Sequence, residues 1–568
     1  MFDFTGKTDL QIAAIITKDH ARLVNERRDF EGLWEIENKI FLPRRYDLLH
    51  AGVKKGQQYG ARVYDGHPAN AANKFSMGML AHMMSKSVPW IQFATSKAKV
   101  MKEDSVKKYV QDAAEQVNFG LGNSNVYGQS VWFSKDGAVT GTAVSIPEED
   151  KIKGTMHYQT VSPRDSYNKF DRFGNLMVYH RNITMSAIEA YDEFDKSKLP
   201  TELIRNAKGE NSGDPFKEYS LIYAVYPNAN PREGSLRSED KKFKVFYVLK
   251  AQGVGKNALV QHTGTQMGPI IWAHGREPGT NYGVSIAADA LTEGLQGNKL
   301  GELLLRMTHR EADPVTEAPL AMKESGIQTN PGGRNWVPEK YIGHNAIREI
   351  FSSGNWPMTD AQEQRLHATL DDKFYVGLWD ALMTMNGPQK TATEVMQIQG
   401  NKAVLLSPVS EDFENAYLKQ IVDAQWVFEE QIARRMPDVP DILLEPENRQ
   451  IDTVFIGPLN QLQRATMQTR GTVNALAVIR QIADMWPQSL IKINEMDLLE
   501  DAAIAQGMKQ SLIKTDEEVK AILEANAAAA EAEQQTNMAI EGAKAAGGLT
   551  KAIEQDSILD QAAGAMNG

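Results

Sequence analysis

The sequence predicts an α+β protein, mostly helical, and three observations predict it. Apolar residues recur at helical spacing through residues 8–42, 69–85 and 102–119. From Gln129 onward the period shortens to that of a strand and holds, with one interruption, as far as Trp272. Beyond Tyr282 helical spacing returns over long segments. A strand sends successive side chains to opposite faces, whereas a helix repeats about every 3.6 residues, so each change of period marks a change of element.

The first helical stretch carries Leu10, Ile12, Ala13, Ile16, Leu23, Val24, Phe30, Leu33, Trp34, Ile36 and Ile40, and Pro43-Arg44-Arg45 ends it. Their spacing of three and four fits one amphipathic helix or a helix pair. A glycine-containing loop with Gly52, Gly56, Gly60 and Gly66 precedes a helix over Ala69–Ser85, whose Met77, Met79, Met83 and Met84 read as core packing. Strands are expected at Val131–Phe133, Thr140–Ile146 and Met156–Thr160, and again at Leu221–Tyr226, Phe243–Leu249 and Ile270–Trp272. Asp171-Arg-Phe-Gly-Asn175 reads as a tight turn between strands Tyr167–Phe170 and Leu176–Arg181, and Thr184–Phe194 as a short helix.

From Tyr282 to Gln397 the pattern is a rod with a tip. One helix runs from Ser285 to Met307 and stops at Asp313-Pro314. Turn residues follow, through Asn330-Pro-Gly-Gly333 and Asn355-Trp-Pro357. A second helix is expected over Thr359–Met383, opened by a capping box Thr359-Asp-Ala-Gln362 and closed by Asn386-Gly-Pro388; a third opens with another capping box, Thr391-Ala-Thr-Glu394. In the first rod helix Gly294, Gly297 and Gly301 share a face. Glycine costs roughly 1 kcal/mol per interior helical position, so either something approaches closely there or the helix is locally broken. Leu300, Leu303, Leu304 and Met307 lie opposite. In the second helix Leu366, Leu370, Phe374, Leu378 and Leu382 form one narrow stripe suited to a single neighbour, while Glu363, Asp371 and Asp380 lie off it, as an acidic functional face or an ordinary solvated one. A long helix over Ser410–Met436, a strand at Val454–Ile456, helices over 459–486, 497–506 and 515–525, and an Ala-rich tail, solvated helix or disordered, complete the chain.

The chain has 568 residues, more than one ordinary core, so several domains are expected. Its 42% hydrophobic and 24% charged fractions are those of a soluble globular protein. No window reaches about 18 consecutive apolar residues, and Met1-Phe-Asp-Phe does not open a signal peptide, so no membrane partner is expected. The chain has no cysteine, which excludes disulfides, thiolate metal sites and cysteine nucleophiles and fits assembly in a reducing cytosol. A net charge of -11 argues against tight duplex binding, whose affinity rests on neutralising phosphates.

Catalytic signatures are not found. Gly253-Val-Gly255-Lys256 is followed by Asn257 where a phosphate loop needs Ser or Thr, and Gly128-Gln-Ser130-Val-Trp132 lacks the second glycine of a nucleophile elbow. The histidines are scattered; His309, near Glu311 and Asp313, reads as a helix-end partner. Asp165 and Asp171 read as turn chemistry more than as a carboxylate pair. The expectation is a non-enzymatic protein with no cofactor and no metal.

Several of these features together resemble the portal proteins, or head-to-tail connectors, of short-tailed bacteriophages. They are Tyr282-Gly-Val-Ser-Ile286 leading into a helix that ends at Ala312-Asp-Pro314; Asn386-Gly-Pro-Gln-Lys-Thr-Ala-Thr-Glu-Val-Met396; the strand–turn–strand from Pro163 to Arg181; and Leu512-Ile-Lys-Thr-Asp-Glu-Glu-Val519. They occur in family order.

The resemblance implies a portal fold of wing, stem, clip and crown, assembled as a homo-dodecameric ring around a channel for double-stranded DNA. Residues 1–281 would be the wing, 282–313 and 358–383 the stem helices, 314–357 the clip and 384–391 the tunnel loop. Residues 392–458 would be the long helix and wing return, 459–530 the crown and 531–568 the tail. Met385, Asn386, Gln389 and Lys390 would face the channel, with Lys390 touching phosphate; Glu363, Asp371 and Asp380 would repel it. Gly294, Gly297, Gly301, Leu366, Leu370 and Phe374 would pack stem helices against neighbouring copies, and Arg334, Trp336, Lys340 and Tyr341 would form the clip interface. The implied partners are the terminase large subunit, a tail adaptor, and scaffolding and major capsid proteins, at one capsid vertex after assembly in the host cytoplasm. The alternatives are a ring-forming tail or adaptor protein and a DNA-processing enzyme with an unrecognised site.

Overall fold

The computed structural model describes residues 4–43, 63–250 apart from 233 and 236, 257–312, 356–383, 406–461 and 463, with isolated positions within 316–349 and 519–525. Helix α1 (Asp9–Phe41) is one unbroken helix that begins with a capping box. The Thr8 hydroxyl accepts from the Gln11 amide at 3.4 Å, and Gln11 Oε1 accepts from the Thr8 amide at 3.0 Å. Helix α2 (His67–Met83) carries Pro68 in its first turn, where a missing N–H costs nothing. Met79, Met83 and Met84 are buried as expected, but Met77 is 53% exposed, so the methionines do not form a single core face.

Strand β1 (Ile91–Thr95), short helix α3 (Ala98–Met101), helix α4 (Asp104–Asn123) and helix α5 (Val126–Thr140) follow. Helix α5 corrects the expectation of strands from Gln129 to Phe133. Its buried face is Val126, Ser130, Phe133, Ser134 and Gly137, a helical repeat disguised because three of its members are small or polar. Burial is tolerable because the Ser130 hydroxyl is 2.7 Å from both the Val126 carbonyl and the Tyr417 hydroxyl.

The strands come next: β2 (Thr142–Asp150), β3 (Thr155–Val161), β4 (Ser166–Phe170) and β5 (Leu176–Ser186). The turn joining β4 to β5 is built as expected: Asp171 Oδ1 accepts from the amides of Phe173 and Asn175, each at 2.8 Å, and Gly174 has φ 87°. Helix α6 (Ala187–Glu193) starts later than Thr184, because Ser186 and Glu189 form a capping box there. Helix α7 (Thr201–Ala207), β6 (Glu218–Pro227), β7 (Phe243–Leu249), β8 (Ala258–Thr265) and β9 (Ile270–Ala273) complete this region.

Strands β4 to β8 form a five-stranded antiparallel sheet in sequence order, and β3, β2 and β9 form a second sheet in that order. Ile222, Ala224, Tyr226, Phe246 and Val248 point to one face of the large sheet and meet Ile12, Ala13, Ile16 and Leu23 of α1. Their neighbours Tyr223, Val225 and Val245 point to the other face and meet Val144, Ile146, Val161 and Ile271 of the small sheet. Burial on both faces explains why β6 reads as nearly continuous apolar sequence.

Helix α8 (Ile286–Asp289) passes through Ala290 into α9 (Leu291–Ala312), so the first rod helix is interrupted near its start. A short pair, β10 (Thr316–Glu317) and β11 (Arg348–Glu349), closes the segment between the rod helices. Helix α10 (Trp356–Lys373) begins upstream of Thr359, which therefore lies inside the helix and is not its cap. Trp356-Pro357 starts it instead, since proline is pre-set for a first turn. Nor does α10 run on to Met383: Tyr375 has φ 54°, and α11 (Val376–Met383) restarts beyond it. The break aims Trp379 at α2, where Gly78 leaves room for the indole; a Cβ on Gly78 would lie 2.5 Å from Trp379 Cγ.

The last long helix, α12, covers residues 407–432 and contains two π-helical turns, Glu414–Leu418 and Phe428–Ile432. The buried Glu429 carboxylate accepts from Gln425 at 2.8 Å and from Gln116 at 3.0 Å. Strand β12 (Ile451–Phe455) returns to pair with β1. The main core gathers the end of α1 with α2, α4, α5, α8, α10, α11 and α12. The glycine sequence 253–256, the third rod helix from Thr391 and nearly all of 464–568 lie outside the described residues.

Candidate functional site: the α9–α10 hairpin

Each residue of Tyr282-Gly-Val-Ser-Ile286 has a structural task at the root of the hairpin. Tyr282 is buried edge-on against Trp34, with ring centroids 5.3 Å apart, and against Phe30 at 5.1 Å. Gly283 lies back to back with Gly141, and a Cβ on it would collide with the carbonyls of Gly141 and His274. The Val284 amide donates to the His274 carbonyl at 2.7 Å. Ser285 caps α8 by accepting from the Ala288 amide at 2.8 Å and donates to Glu37 Oε1 at 2.5 Å. Glu37 is fully buried, and burial pushes its carboxyl up to about 8, against the smaller lowering effect of the Ser285 hydrogen bond. A neutral acid on α1 therefore holds the cap from which the hairpin rises.

The glycine face of α9 receives residues of the same chain. A Cβ on Gly294 would stand 2.9 Å from Ile40 Cγ2, on Gly297 2.6 Å from Asp65 Oδ2, and on Gly301 3.1 Å from the Tyr64 carbonyl. The close approach inferred from three aligned glycines is present, but α1 and residues 64–65 make it, where a neighbouring copy had been expected. Asn298 Oδ1 accepts from the Tyr64 amide at 2.7 Å and fixes that segment on the helix.

The same segment reaches α10. Asp65 accepts from the His67 amide at 2.8 Å through Oδ1 and meets His367 Nε2 at 3.1 Å through Oδ2. His67 Nε2 meets Asp371 Oδ1 at 2.9 Å, and the two imidazoles stack with centroids 4.0 Å apart. Lys373 adds a rung between the helices, 2.7 Å from Glu293 Oε2 and 2.7 Å from the Asp289 carbonyl. Leu366, Leu370 and Phe374 are buried, Phe374 against Phe41 at 5.4 Å and Phe75 at 6.4 Å. The chain itself thus covers the apolar stripe that the sequence reading gave to a neighbouring copy. The physical reason is that α1 and α2 pass beneath the hairpin, a contact no local spacing records.

The acidic residues are partly engaged. Asp371 faces His67, Asp380 faces Lys74 at 3.0 Å, and Glu363 is half-buried. In the segment between the helices Arg334 and Lys340 are exposed, and Tyr341 ends a single turn Glu339–Tyr341. Trp336 and all of Met385, Asn386, Gln389 and Lys390 lie outside the described residues. Asp65, His67, Asn298 and His367 escaped the sequence reading. The one local signal is the His367/Asp371 pair, one helical turn apart.

The hairpin is thus a rigidly rooted lever, held by buried contacts and carrying its two free flanks outward. Among the described residues no arrangement around it matches a nucleophile with its base, and the Ser130 singled out in sequence is buried inside α5. What such a lever is for is decided by comparison. The sequence profile of the bacteriophage head to tail connecting protein family matches residues 14–513. The chain belongs to that family. Two connector relatives match over nearly their full lengths. A portal protein of Salmonella phage epsilon15 is 22% identical over 550 residues, covering 93% of this chain and 94% of that one. A probable portal protein of Bordetella phage BPP-1 is 23% identical over 552 residues, covering 95% and 96%. Connectors are structural components of the virion, and the names of these relatives describe portals, not enzymes. Among the described residues no helix is long and apolar enough to cross a membrane.

Proposed function

We propose that this connector is a portal: a homo-dodecameric ring at one capsid vertex through which double-stranded DNA is packaged and later ejected. The observation that carries this reading is the full-length match to two portal proteins. The rooted hairpin supports it, since a ring around a channel needs stem helices fixed to a larger body. In this reading α9 and α10 are the stem, residues 314–357 the clip, 384–391 the tunnel loop, residues 1–281 and the return through β12 the wing, and 459–530 the crown. Met385 to Lys390 follow directly on α11 and enter the channel, with Lys390 making passing phosphate contacts. The clip, through Arg334, Trp336, Lys340 and Tyr341, meets the terminase large subunit first and the tail adaptor later. Scaffolding and major capsid proteins contact the wing, and assembly takes place in the host cytoplasm.

The net charge of -11 suits a conduit. A wall without a dominant basic face releases few counterions from passing DNA, so the duplex is not held. The pairing of Asp371 with His67 and of Asp380 with Lys74 limits how strongly the stem repels phosphate. Electron microscopy of the purified chain tests the proposal: rings with a pore wide enough for a B-form duplex are expected, and monomers alone would overturn it. Labelling of heads assembled before DNA entry separates portal from adaptor, because an adaptor joins only filled heads. Deleting residues 385–390 should leave rings intact while impairing packaging or DNA retention.

A further inference from the structure

The two outward flanks of the hairpin differ in chemistry. On α9, Leu295, Lys299, Leu303 and Arg306 lie along one side, with Leu295 and Leu303 each 44% exposed and Lys299 and Arg306 exposed by 62% and 66%. The two cations share a single carboxylate, Glu302, at 2.7 and 2.5 Å, so the flank keeps a positive excess. On α10, Asp360, Gln364 and Ala368 repeat one turn apart and lead to Asp371 and Asp372. Asp360, Gln364, Ala368 and Asp372 are exposed. That flank is acidic and, at Ala368, shallow.

The faces that α9 and α10 turn toward each other lie elsewhere, at the Glu293–Lys373 rung. A second copy could meet the α9 flank in two ways. A two-fold contact would set Lys299 and Arg306 against themselves, like charge on like. A head-to-tail contact sets the cations and leucines of α9 against the carboxylates and the alanine of α10. We propose that the α9 flank of each copy docks on the α10 flank of the next. This rests on the ring reading above and goes further by naming the surfaces that close the ring.

Rotation about a ring axis preserves height, and this fixes the register when the hairpin lies along the axis. Arg306 stands as many residues above Glu293 on α9 as Asp360 stands before Lys373 on α10, so Arg306 of one copy is level with Asp360 of the next. By the same construction Leu303 is level with Glu363, one helical rise of about 1.5 Å from the exposed Gln364. Leu303 then meets the amide side chain, Lys299 falls level with residue 367 beside Ala368, Leu295 falls level with Asp371, and Arg306 meets a carboxylate at the rim.

Because the natural chain has no cysteine, introduced thiols report without background. The full-length Leu303→Cys/Gln364→Cys double variant is purified, its rings are counted by electron microscopy, and it is oxidised under mild conditions and run under denaturing, non-reducing conditions. A ladder of covalent multimers extending well past the dimer, absent from either single variant, is the expected result. A dimer from Leu303→Cys alone would reveal two-fold packing and overturn the proposal. Rings that oxidise without a ladder, or a crosslink confined to the monomer, would overturn the flank pairing and leave the ring standing. Absence of rings in the unmodified protein would remove both readings. A charge reversal gives a second test: Arg306→Asp should reduce the ring population at low salt, and Arg306→Asp/Asp360→Arg should restore it. Equal loss in the single and double variants would count against the pairing.

Discussion

His67 and His367 stack face to face, their centroids 4.0 Å apart and their planes 12° from parallel. Each imidazole turns its Nε2 to a carboxylate from the opposite element: His67 to Asp371 on α10, and His367 to Asp65 before α2. The four side chains tie one short segment to the hairpin. Asp65 is buried, so its carboxylate cannot exchange a lost partner for water.

His367→Ala should therefore destabilise the chain by about 1–3 kcal/mol, the cost of stranding a buried acceptor and removing a stacked ring. His67→Ala should cost less, because Asp371 stays within reach of solvent. The double variant should cost clearly less than the sum of the singles, with a coupling of roughly 0.5–3 kcal/mol. Denaturant melts of the four proteins measure it, and strict additivity would show that the stack is incidental.

Glycine substitutions separate propensity from contact. Gly32 lies on an open face of α1, and a Cβ there meets nothing within 4 Å, so Gly32→Ala should stabilise by about 0.5–1 kcal/mol. Gly297→Ala would gain the same helical preference but drive a methyl against Asp65 Oδ2 at 2.6 Å. It should destabilise by about 1–3 kcal/mol and loosen the segment that Asp65 anchors. Thermal melts of the two variants should move in opposite directions; a shift of the same sign would deny the close approach.

That contrast shows how far the hairpin could be read from its sequence. The aligned glycines and the leucine stripe announced close packing because both follow the helical repeat. What they pack against is Tyr64, Asp65, Phe41 and Phe75, separated from them by hundreds of residues, and no period encodes that. The same limit explains α5: with Ser130, Ser134 and Gly137 on its buried face, helical spacing of apolar residues was too sparse to outweigh a few alternating ones. The β4–β5 hairpin was legible because Asp171 and Gly174 act on their own backbone. The break at Tyr375 was not, because nothing local asks a tyrosine to adopt positive φ.

Acid should weaken the contact between α1 and the large sheet. His20 is pushed down to about 4 by burial first, then by Lys250 and Arg27. His180, 5.6 Å away and nearly parallel, is held well below the ordinary range by burial and by His20. The Tyr226 hydroxyl gives its proton to Asp19 at 3.2 Å, so His180 must donate to it from Nε2 at 2.9 Å and keep a bare Nδ1. With folded values below unfolded ones, the stability these residues provide is complete above pH 6.5 and is lost as pH falls toward 4. His20→Leu should reduce that loss by about 1–3 kcal/mol, read from urea melts at pH 4.5 and 7. An unchanged slope would show that the histidines titrate normally.

Glu37 runs the other way. Its folded value, about 8, lies above the ordinary carboxyl value of 4.5, so the stability it contributes is complete below 4.5 and is lost as pH rises through 8. Between 4.5 and 6.5 Glu37 opposes the two histidines, and the unmodified chain should lose less stability toward acid there than the histidines alone would cause. Each substitution unmasks the other group. In His20→Leu the remaining His180 should roughly offset Glu37 below pH 6.5, and stability should fall from there to pH 8, whereas in Glu37→Gln stability should rise up to pH 6.5 and then level off. The glutamine keeps an acceptor for the Ser285 hydroxyl but buries an added donor at a position where Glu37 Oε2 has no partner, so its absolute stability can drop by about 1–3 kcal/mol. The slope above pH 6.5 is the test. Urea melts at pH 5, 6.5 and 8 should show the fall above pH 6.5 in His20→Leu and its absence in Glu37→Gln, and a slope in Glu37→Gln equal to that of the unmodified chain would mean that the carboxyl at the root of the hairpin is ionised in the folded chain.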